Sequence, residues 1–391
     1  MKKLLLAAAA AAALAISPAV ADTTQGVTDT EVVIGGHHDL SGIFAAFSVP
    51  AVTAANLYFD EINANGGVHG RKIRYITEDH GYQAPKAVQA VNKLINRDKV
   101  FAMLLSLGTP MNLAAFKLQD PKGIPNISPL SGARQMLQEP LKLHFAGTSS
   151  YYDQLYRAVP YMKDNHDSSV VCAMYIPSDF GKEIQAGAAD ATKELGLKWG
   201  TESTHKPDET EFTGALGKMK EAGCDLVATA LGVRQTITLL GTAKKMGIEG
   251  MNFIGSSASF HTAIAKVPGG ITEGYFAAAG WQDLEARAGD PEVGAWIKKY
   301  IEATGEKFPG TGALLGRSAA ELFVRALEAA GPDLTHETFL AAMETLEFED
   351  KIAGNTVKIT ADKHLAADAV FISKIEGGSW KTLTELKAAG S

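Results

Sequence analysis

Two short polar stretches, each directly after an apolar run, carry the side chains in this chain that could do chemistry. Ser106, Gly108 and Thr109 follow the apolar residues 100–105, and Ser131 lies in a similar loop after a second short apolar run. At the start of a helix, hydroxyls and free N–H groups favour a negatively charged or hydrogen-bonding guest. The two loops therefore predict a site that binds a small molecule, although the same residue types are also ordinary turn formers.

A metal site is the first alternative chemistry, at the adjacent pair His37 and His38. Neighbouring residues of an extended chain point in opposite directions, and third and fourth ligands are not evident in the sequence. We therefore expect neither a metal nor a cofactor.

A hydrolytic site is the second alternative, because His80 beside Asp79 could serve as a base with its orienting acid and Ser106 as the nucleophile. The chain has no dinucleotide-binding, Walker, zinc-protease or nucleophile-elbow motif. The polar loops are suited to holding a molecule and contain no evident acid–base constellation. We expect no catalytic residues, with a secreted hydrolase that uses these three side chains as the competing interpretation.

The loops follow strands in a regular alternation of apolar runs and helical patterns. Strands are predicted at residues 31–35, 74–77 and 100–105, and helices at residues 52–63 and from Pro85 onward. Such an alternation requires parallel strands joined by right-handed crossovers. All strand exits, and with them both polar loops, are then expected at one edge of the sheet, where open α/β folds bind ligands.

A second alternation begins after Pro140. It predicts strands at residues 170–176, 198–204, 225–231 and 253–255, with helices between them. Three strong helical patterns at 291–303, 314–330 and 336–346 have no strand between them, so they should cover an existing lobe. Strands at 356–359 and 369–375, with a turn near Gly377, complete the chain. The predicted fold is α/β, with two doubly wound parallel-sheet lobes.

Composition limits the class of protein. Residues 1–21 combine two lysines, a Leu/Ala run and small residues before Asp22, which is typical of a cleaved secretory signal. The 391 residues suit two lobes better than one core, and the net charge of −7 without basic runs argues against nucleic acid and anionic membranes. Cys172 and Cys224 lie in apolar runs. This context is compatible with a disulfide between them and equally with a pair of buried free thiols.

Several of these segments resemble the periplasmic leucine/isoleucine/valine-binding proteins, the type I solute-binding proteins of ATP-driven (ABC) importers. The strongest marker is the run EINANGGVHGR at residues 61–71, and weaker matches include residues 33–35, 127–129, 179–181 and 253–255. The resemblance extends along nearly the whole chain after residue 21.

The resemblance implies a two-lobed clamp with three crossing segments, near Phe145, Phe276 and Thr356. The first lobe would comprise residues 22–146 and 277–350, and the second lobe residues 147–276 and 351–391. A ligand would bind better to the closed lobes and so shift the population toward them. The closed form is then what an ABC permease would select.

The resemblance also assigns roles to individual positions. Ser106 matches a serine that holds the ligand carboxylate, and Leu130 and Ser131 match a loop whose backbone holds the ligand. Phe47 matches an aromatic ring over the ligand, and Phe180 matches a tyrosine of the opposing lobe.

Three departures from the family pattern affect the expected ligand. Ser257 replaces the acidic residue that pairs with a ligand ammonium, Gly132 replaces a threonine, and the tyrosine position near Val233 has no ring. The first-lobe disulfide of the family is also absent. A buried ammonium without a partner would be costly. The chain is therefore expected to bind a small organic acid, aromatic acids included, or an amide, with a small amino acid still within the expected class.

Arg234, just after a predicted strand, adds a hypothesis of its own. It could reach the cleft and donate to a ligand carboxylate, or it could be a solvated helix-start side chain.

The overall expectation is a periplasmic binding protein with a small-molecule ligand and an ABC permease as partners, without nucleic acid or stable membrane insertion. A module that senses its ligand for a membrane receptor would need the same clamp.

Overall fold

The computed structural model of the protein describes residues 24–386. The expected secretory signal at residues 1–21 lies outside them. Within residues 24–386, none of the helices combines the length and the apolar character needed to cross a membrane.

The first part of the chain forms a five-stranded sheet with helices between its strands. In chain order the elements are β1 (Glu31–His38), α1 (Ala45–Ala64), β2 (Lys72–Asp79), α2 (Ala84–Asn92), β3 (Met103–Leu104), α3 (Thr109–Gln119), β4 (Asn126–Ile127) and β5 (His144–Phe145). The strand order is β2-β1-β3-β4-β5, and every pairing is parallel. The parallel pairing that the alternation predicted is confirmed, so the strand exits share one edge.

The second alternation builds another layered unit. Its elements are α4 (Tyr151–His166), β6 (Val170–Tyr175), α5 (Asp179–Glu194), β7 (Lys198–Thr204), α6 (Thr213–Glu221), β8 (Leu226–Ala230), α7 (Val233–Lys245), β9 (Asn252–Gly255), α8 (Thr262–Ala265) and β10 (Phe276–Ala279). The strands β6 to β10 pair in parallel. The chain thus repeats the architecture of its first part.

Three helices then return to the first lobe. The remaining elements are α9 (Pro291–Thr304), α10 (Thr311–Ala330), α11 (His336–Met343), β11 (Glu347–Asp350), β12 (Asn355–Lys358), β13 (Val370–Glu376) and β14 (Ser379–Leu386). Phe323 of α10 and Phe339 of α11 share one hydrophobic core with Ile34 of β1. As the sequence predicted, these helices cover an existing lobe.

The second sheet differs from the expected purely parallel form. Its order is β14-β13-β10-β9-β8-β6-β7, and β13 and β14 are antiparallel to their neighbours. The two strands form a hairpin whose turn residues Gly377 and Gly378 have φ values of 61° and 73°. Positive φ at both central residues is what a tight hairpin of this hand needs. The hairpin therefore adds an antiparallel edge to a parallel sheet.

The chain passes between the two sheets three times, at residues 146–150, 280–290 and 359–369. Backbone hydrogen bonds join the first and third crossings, from Ala146 N to His364 O (3.0 Å) and from Ala366 N to Ala146 O (2.8 Å). The expected lobe boundary at 276/277 falls inside β10, which pairs with the second sheet over its whole length. The second crossing consequently begins a few residues later than the sequence suggested.

Cys172 and Cys224, left open at the sequence level, form a disulfide inside the second lobe. Cys172 lies in β6, and Cys224 lies two residues before the neighbouring strand β8. The cross-link therefore joins β6 to the segment that leads into its neighbour β8.

Candidate ligand-binding site

A cavity lies between the two lobes, at the edge where the strands of the first sheet end. It encloses about 990 Å³, including the part that is open to solvent, which is within the range of small-molecule sites. The aromatic side chains that line it are Phe44, Phe47, Tyr82, Tyr151, Phe180 and Trp281. They come from both lobes and from the second crossing, so the lining is predominantly apolar.

The two polar loops of the first lobe meet at this cavity. Thr109 Oγ1 and Ser131 Oγ are 2.8 Å apart and buried. The loops are held in register by Gly108 N, which donates to Leu130 O (3.2 Å), and by Leu130 N, which donates to Ser106 O (3.0 Å). The N-terminus of α3 begins at Thr109, so hydroxyls and the positive end of a helix dipole lie together.

Ser106 itself, expected to hold the ligand, does not line the cavity. Its side chain is fully buried, and its Oγ accepts a hydrogen bond from His37 N (3.4 Å). Leu105 and Leu107 line the cavity, whereas the serine between them faces the first-lobe interior.

The other expected site residues line the cavity, with one exception. Those that line the cavity are Phe47, Gly108, Thr109, Leu130, Ser131, Phe180 and Ser257. Arg234 is exposed in the first turn of α7 and is not part of the lining. Its neighbour Gln235 is buried and donates to Lys206 O (2.8 Å), so Gln235 and not Arg234 takes the inward position.

The three side chains of the hydrolase alternative are not joined to one another. Asp79 accepts hydrogen bonds from Leu40 N (2.9 Å) and Ser41 Oγ (2.7 Å). His80 donates from Nε2 to Leu107 O (3.2 Å), while its Nδ1 accepts from Tyr82 N (3.1 Å). Both ring nitrogens are thereby occupied, and His80 serves to shape the loop.

The histidine pair considered as a metal site is enclosed by protein. His38 contacts Tyr75 Oη at 2.7 Å, and burial lowers the pKa of His38 to about 3. Burial also holds the pKa of His37 well below its ordinary value. Across residues 24–386 there is no group of three or more His, Cys, Asp or Glu side chains arranged to hold a metal ion.

Several lining residues were not predicted as site residues. These are the rings Phe44, Tyr82, Tyr151 and Trp281, and the α10 stripe Leu315, Ala319 and Leu322. Tyr82 could have been found, because it follows a predicted strand exit. In the sequence, these α10 residues show only the spacing of a buried helix face. That spacing does not distinguish residues that line a cavity from residues that pack in a core.

Phe44 is positioned by a carboxylate in the loop after β1. Asp39 accepts hydrogen bonds from Gly42 N (2.6 Å) and Phe44 N (2.8 Å). The Phe44 ring then packs 4.7 Å from the Tyr82 ring and 5.6 Å from the Phe180 ring of the second lobe, measured between centroids. The aromatic wall therefore spans both lobes.

The cavity lining carries almost no charge. Among the described lining residues, Asp350 is the single carboxylate and none is basic. Asp350 Oδ1 accepts from Ile352 N and Ala353 N, both at 2.9 Å, and burial raises the pKa of Asp350. Asp350 Oδ1 is thus engaged by its own loop, and the two polar loops at Thr109 and Ser131 offer no anionic partner to a ligand ammonium.

A hydrogen bond between the lobes, beside the lining residue Phe47, depends on a proline. Pro50 lies inside α1 and has no N–H, so the carbonyl of Ala46 four residues earlier receives no helical hydrogen bond from it. That carbonyl accepts instead from His261 Nε2 of the second lobe at 3.0 Å. His261 Nδ1 accepts from Ala263 N (3.0 Å), which fixes the ring as one neutral tautomer.

Acidification should open the lobes through His261. Burial lowers the pKa of His261 from 6.5 to about 4, whereas in the open form the ring would be exposed and closer to its ordinary value. As the pH falls from 6.5 toward 4, protonation therefore favours the open form, and affinity should fall by up to about tenfold per pH unit. Titration calorimetry with an uncharged ligand measures this fall.

The non-titrating variant His261→Gln is the matched control for this pH dependence. Its affinity should stay nearly constant over the same range. An unchanged pH dependence in His261→Gln would contradict the assignment to His261.

A family model described as "Periplasmic binding protein" matches residues 31–379 of the chain. Among curated relatives, an "Amino acid binding protein" from Pseudomonas aeruginosa is 26% identical over 219 residues. That match covers 55% of this chain and 57% of the relative, so it spans little more than half of the relative's length.

Two solved structures are similar to this chain over nearly their whole length. A fatty acid ABC transporter substrate-binding protein from Thermomonospora curvata has a TM-score of 0.84 at 24% identity, covering 93% of this chain and 94% of its own. An ABC transporter solute-binding protein from R. palustris in complex with benzoate has a TM-score of 0.80 at 18% identity, covering 91% and 96%. At these identities the likeness establishes the fold.

Proposed function

The chain belongs to the periplasmic binding protein family, and on that premise we propose that it captures a small, largely apolar organic molecule for an ABC importer. The ligand would be an aromatic or aliphatic acid, or an amide, enclosed between the lobes. The partner would be the importer's membrane-spanning permease, and the compartment would be the periplasm.

The observation that carries this proposal is the enclosed, aromatic and nearly uncharged cavity between the lobes. Rings on both sides suit a flat or extended apolar body. The hydroxyl pair Thr109 and Ser131 at the start of α3 could hold a carboxylate or a carbonyl oxygen, because one of the two hydroxyls keeps a hydrogen to donate. A free α-amino acid is a poorer candidate, since its ammonium would lie opposite Ser257.

The names of similar proteins support the same range of ligands. The relatives and structures reported above are named for an amino acid, a fatty acid and benzoate. Their common property is a small molecule with a carboxylate, whereas the apolar part varies. The cavity lining of this chain favours the members with a large apolar part.

A thermal-shift screen tests the proposal. Benzoate, 3-phenylpropionate, octanoate, benzamide and leucine would each be added to the purified protein. A ligand at 100 times its Kd stabilises the folded protein by about 2.7 kcal/mol, so we expect a clear rise in Tm with acids or the amide and little with leucine. Stabilisation by leucine alone would overturn the proposed ligand class.

The same screen separates binding from catalysis. After incubation, mass spectrometry of the bound compound should recover it unchanged. Recovery of a hydrolysed product, lost in the variant His80→Ala, would support the secreted hydrolase instead.

A further inference from the structure

Three polar side chains border the cavity where the crossings meet, and we call them the hinge cluster: Thr148, Trp281 and Asn355. Thr148 belongs to the first crossing, Trp281 to the second, and Asn355 begins β12, which leads into the third. Thr148 Oγ1, Trp281 Nε1 and Asn355 Oδ1 are all buried without a hydrogen-bond partner. Buried polar atoms are nearly always paired, so three orphaned atoms among the lining residues of one cavity call for a partner.

The hinge cluster converges on a single peptide group. A Cβ on Gly280 would lie only 1.8 Å from Thr148 Oγ1, so the first and second crossings approach as closely as glycine permits. Asn355 Nδ2 donates to the carbonyl of Gly280 at 2.7 Å, and Trp281 follows Gly280 in the chain. The three residues therefore meet around Gly280 and belong to one cavity lining.

The hydrogen-bonding roles in the cluster are fixed. Indole Nε1 of Trp281 can only donate. Because Asn355 Nδ2 donates to a carbonyl, its Oδ1 is oriented as an acceptor. Thr148 can do either. One group that can bond to both a donor and an acceptor is a hydroxyl. Its oxygen accepts from the indole N–H, and its hydrogen bonds to the amide oxygen of Asn355.

An anionic group suits this part of the cavity poorly. Asp350 lines the same cavity and pairs directly with Asn355 across the β11–β12 hairpin. A carboxylate there would face both the Asp350 side chain and the lone pairs of Asn355 Oδ1. The carboxylate of a ligand is better placed at Thr109 and Ser131, where the lining offers hydroxyls and the start of α3.

We propose that the hinge cluster is a ligand subsite that binds an uncharged hydroxyl group, so that the preferred ligands are hydroxylated aromatic or aliphatic acids. This inference rests on the proposed function and narrows its ligand class. Since the three atoms belong to three different segments, a hydroxyl that bridges them also ties the crossings together in the closed arrangement. Binding energy at this subsite thus stabilises the closed lobes selectively.

Matched ligand pairs test the subsite by titration calorimetry. The pairs are benzoate with 4-hydroxybenzoate, 3-phenylpropionate with 3-(4-hydroxyphenyl)propionate, and octanoate with 8-hydroxyoctanoate. In at least one pair the hydroxylated member should bind roughly tenfold more tightly, as expected for a buried, satisfied hydrogen bond. In Trp281→Phe and Thr148→Val, the affinity ratio of that pair should fall toward one.

A control variant and a spectroscopic signal make the result specific. Ser131→Ala should weaken both members of a pair and keep their ratio. The indole ¹⁵N–H resonance that disappears in Trp281→Phe should shift with the hydroxylated ligand and remain in place with its parent.

Two outcomes would overturn the inference in different ways. If ligands bind but every pair shows equal affinity, the hinge cluster holds only water, and the subsite fails while the proposed function stands. If no member of any pair binds, the proposed ligand class and the subsite fail together.

Discussion

Replacing Gly316 by alanine should lower the free energy of unfolding by about 2 to 3 kcal/mol. Gly316 lies on the face of α10 that packs against α1, and a Cβ there would lie 2.0 Å from Ala51 O and 2.7 Å from Ala51 Cα. Both contacts are with backbone, so the two helices would have to move apart. Chemical denaturation measures the loss.

The same substitution at Gly217 is the matched control. Gly217 lies inside α6, and a Cβ there would meet nothing within 4 Å. Gly217→Ala should therefore raise stability by about 0.5 to 1 kcal/mol, because alanine restricts the unfolded chain more than glycine does. Equal effects at the two positions would show that helix propensity, and not the close approach of α1 and α10, governs this packing.

The packing of α10 on α1 also reaches the cavity. A Cβ on Gly312, one turn earlier, would lie 2.3 Å from the carbonyl of Phe47, whose ring lines the cavity. The two glycines hold α1 at the distance that places Phe47. Stability of the first lobe and the shape of the ligand site therefore depend on the same helix pair.

The fold was largely predictable because the spacing of apolar residues shows which face of each helix or strand is buried. Alternating apolar runs and helical stripes identified the parallel strands of both sheets and the three returning helices. The antiparallel edge formed by β13 and β14 was not predicted, because periodicity does not report strand direction. The sequence showed only the Gly377 turn, which implies a hairpin but not the sheet it joins.

The site was predictable where it depends on strand exits. Thr109 and Ser131 were placed together by the rule that parallel strands end at one edge, and their hydroxyls lie 2.8 Å apart. Ser106 was expected in the lining, whereas its neighbours Leu105 and Leu107 line the cavity and the Ser106 side chain is buried beside His37. Residue types alone do not show which of three successive side chains faces a cavity.

The residues at the hinge end of the cavity could not be predicted from the sequence, for a different reason. Trp281 lies in the second crossing and Asn355 at the start of β12, about 75 residues apart, and their proximity depends on how the crossings pair. Local pattern carries no information about that pairing. Arg234 takes the solvated helix-start position that was its alternative, since a helix that begins at Val233 turns its second residue outward and its third inward.

Replacing Phe180 by alanine should weaken ligand binding by about a hundredfold, an effect of the size seen for central aromatic residues of interfaces. The Phe180 ring is only 3% exposed and lines the cavity from the second lobe. It packs against Phe44 of the first lobe and Tyr151, at centroid distances of 5.6 and 5.4 Å. Truncation removes a ligand contact and a contact between the lobes in the same step. Calorimetric titration with the tightest ligand of the screen measures the effect.

Two further variants separate these contributions. Phe180→Leu keeps most of the apolar volume and should recover part of the affinity, whereas Phe44→Leu alters the opposing ring and leaves Phe180 in place. If Phe44 and Phe180 act together across the closed lobes, the double variant should lose less affinity than the two single losses combined, because the shared contact is removed only once. Strictly additive losses would mean that each ring contacts the ligand alone and that closure does not depend on their meeting. Affinity in Phe180→Ala equal to that of the unaltered protein would place the ligand elsewhere than between the lobes.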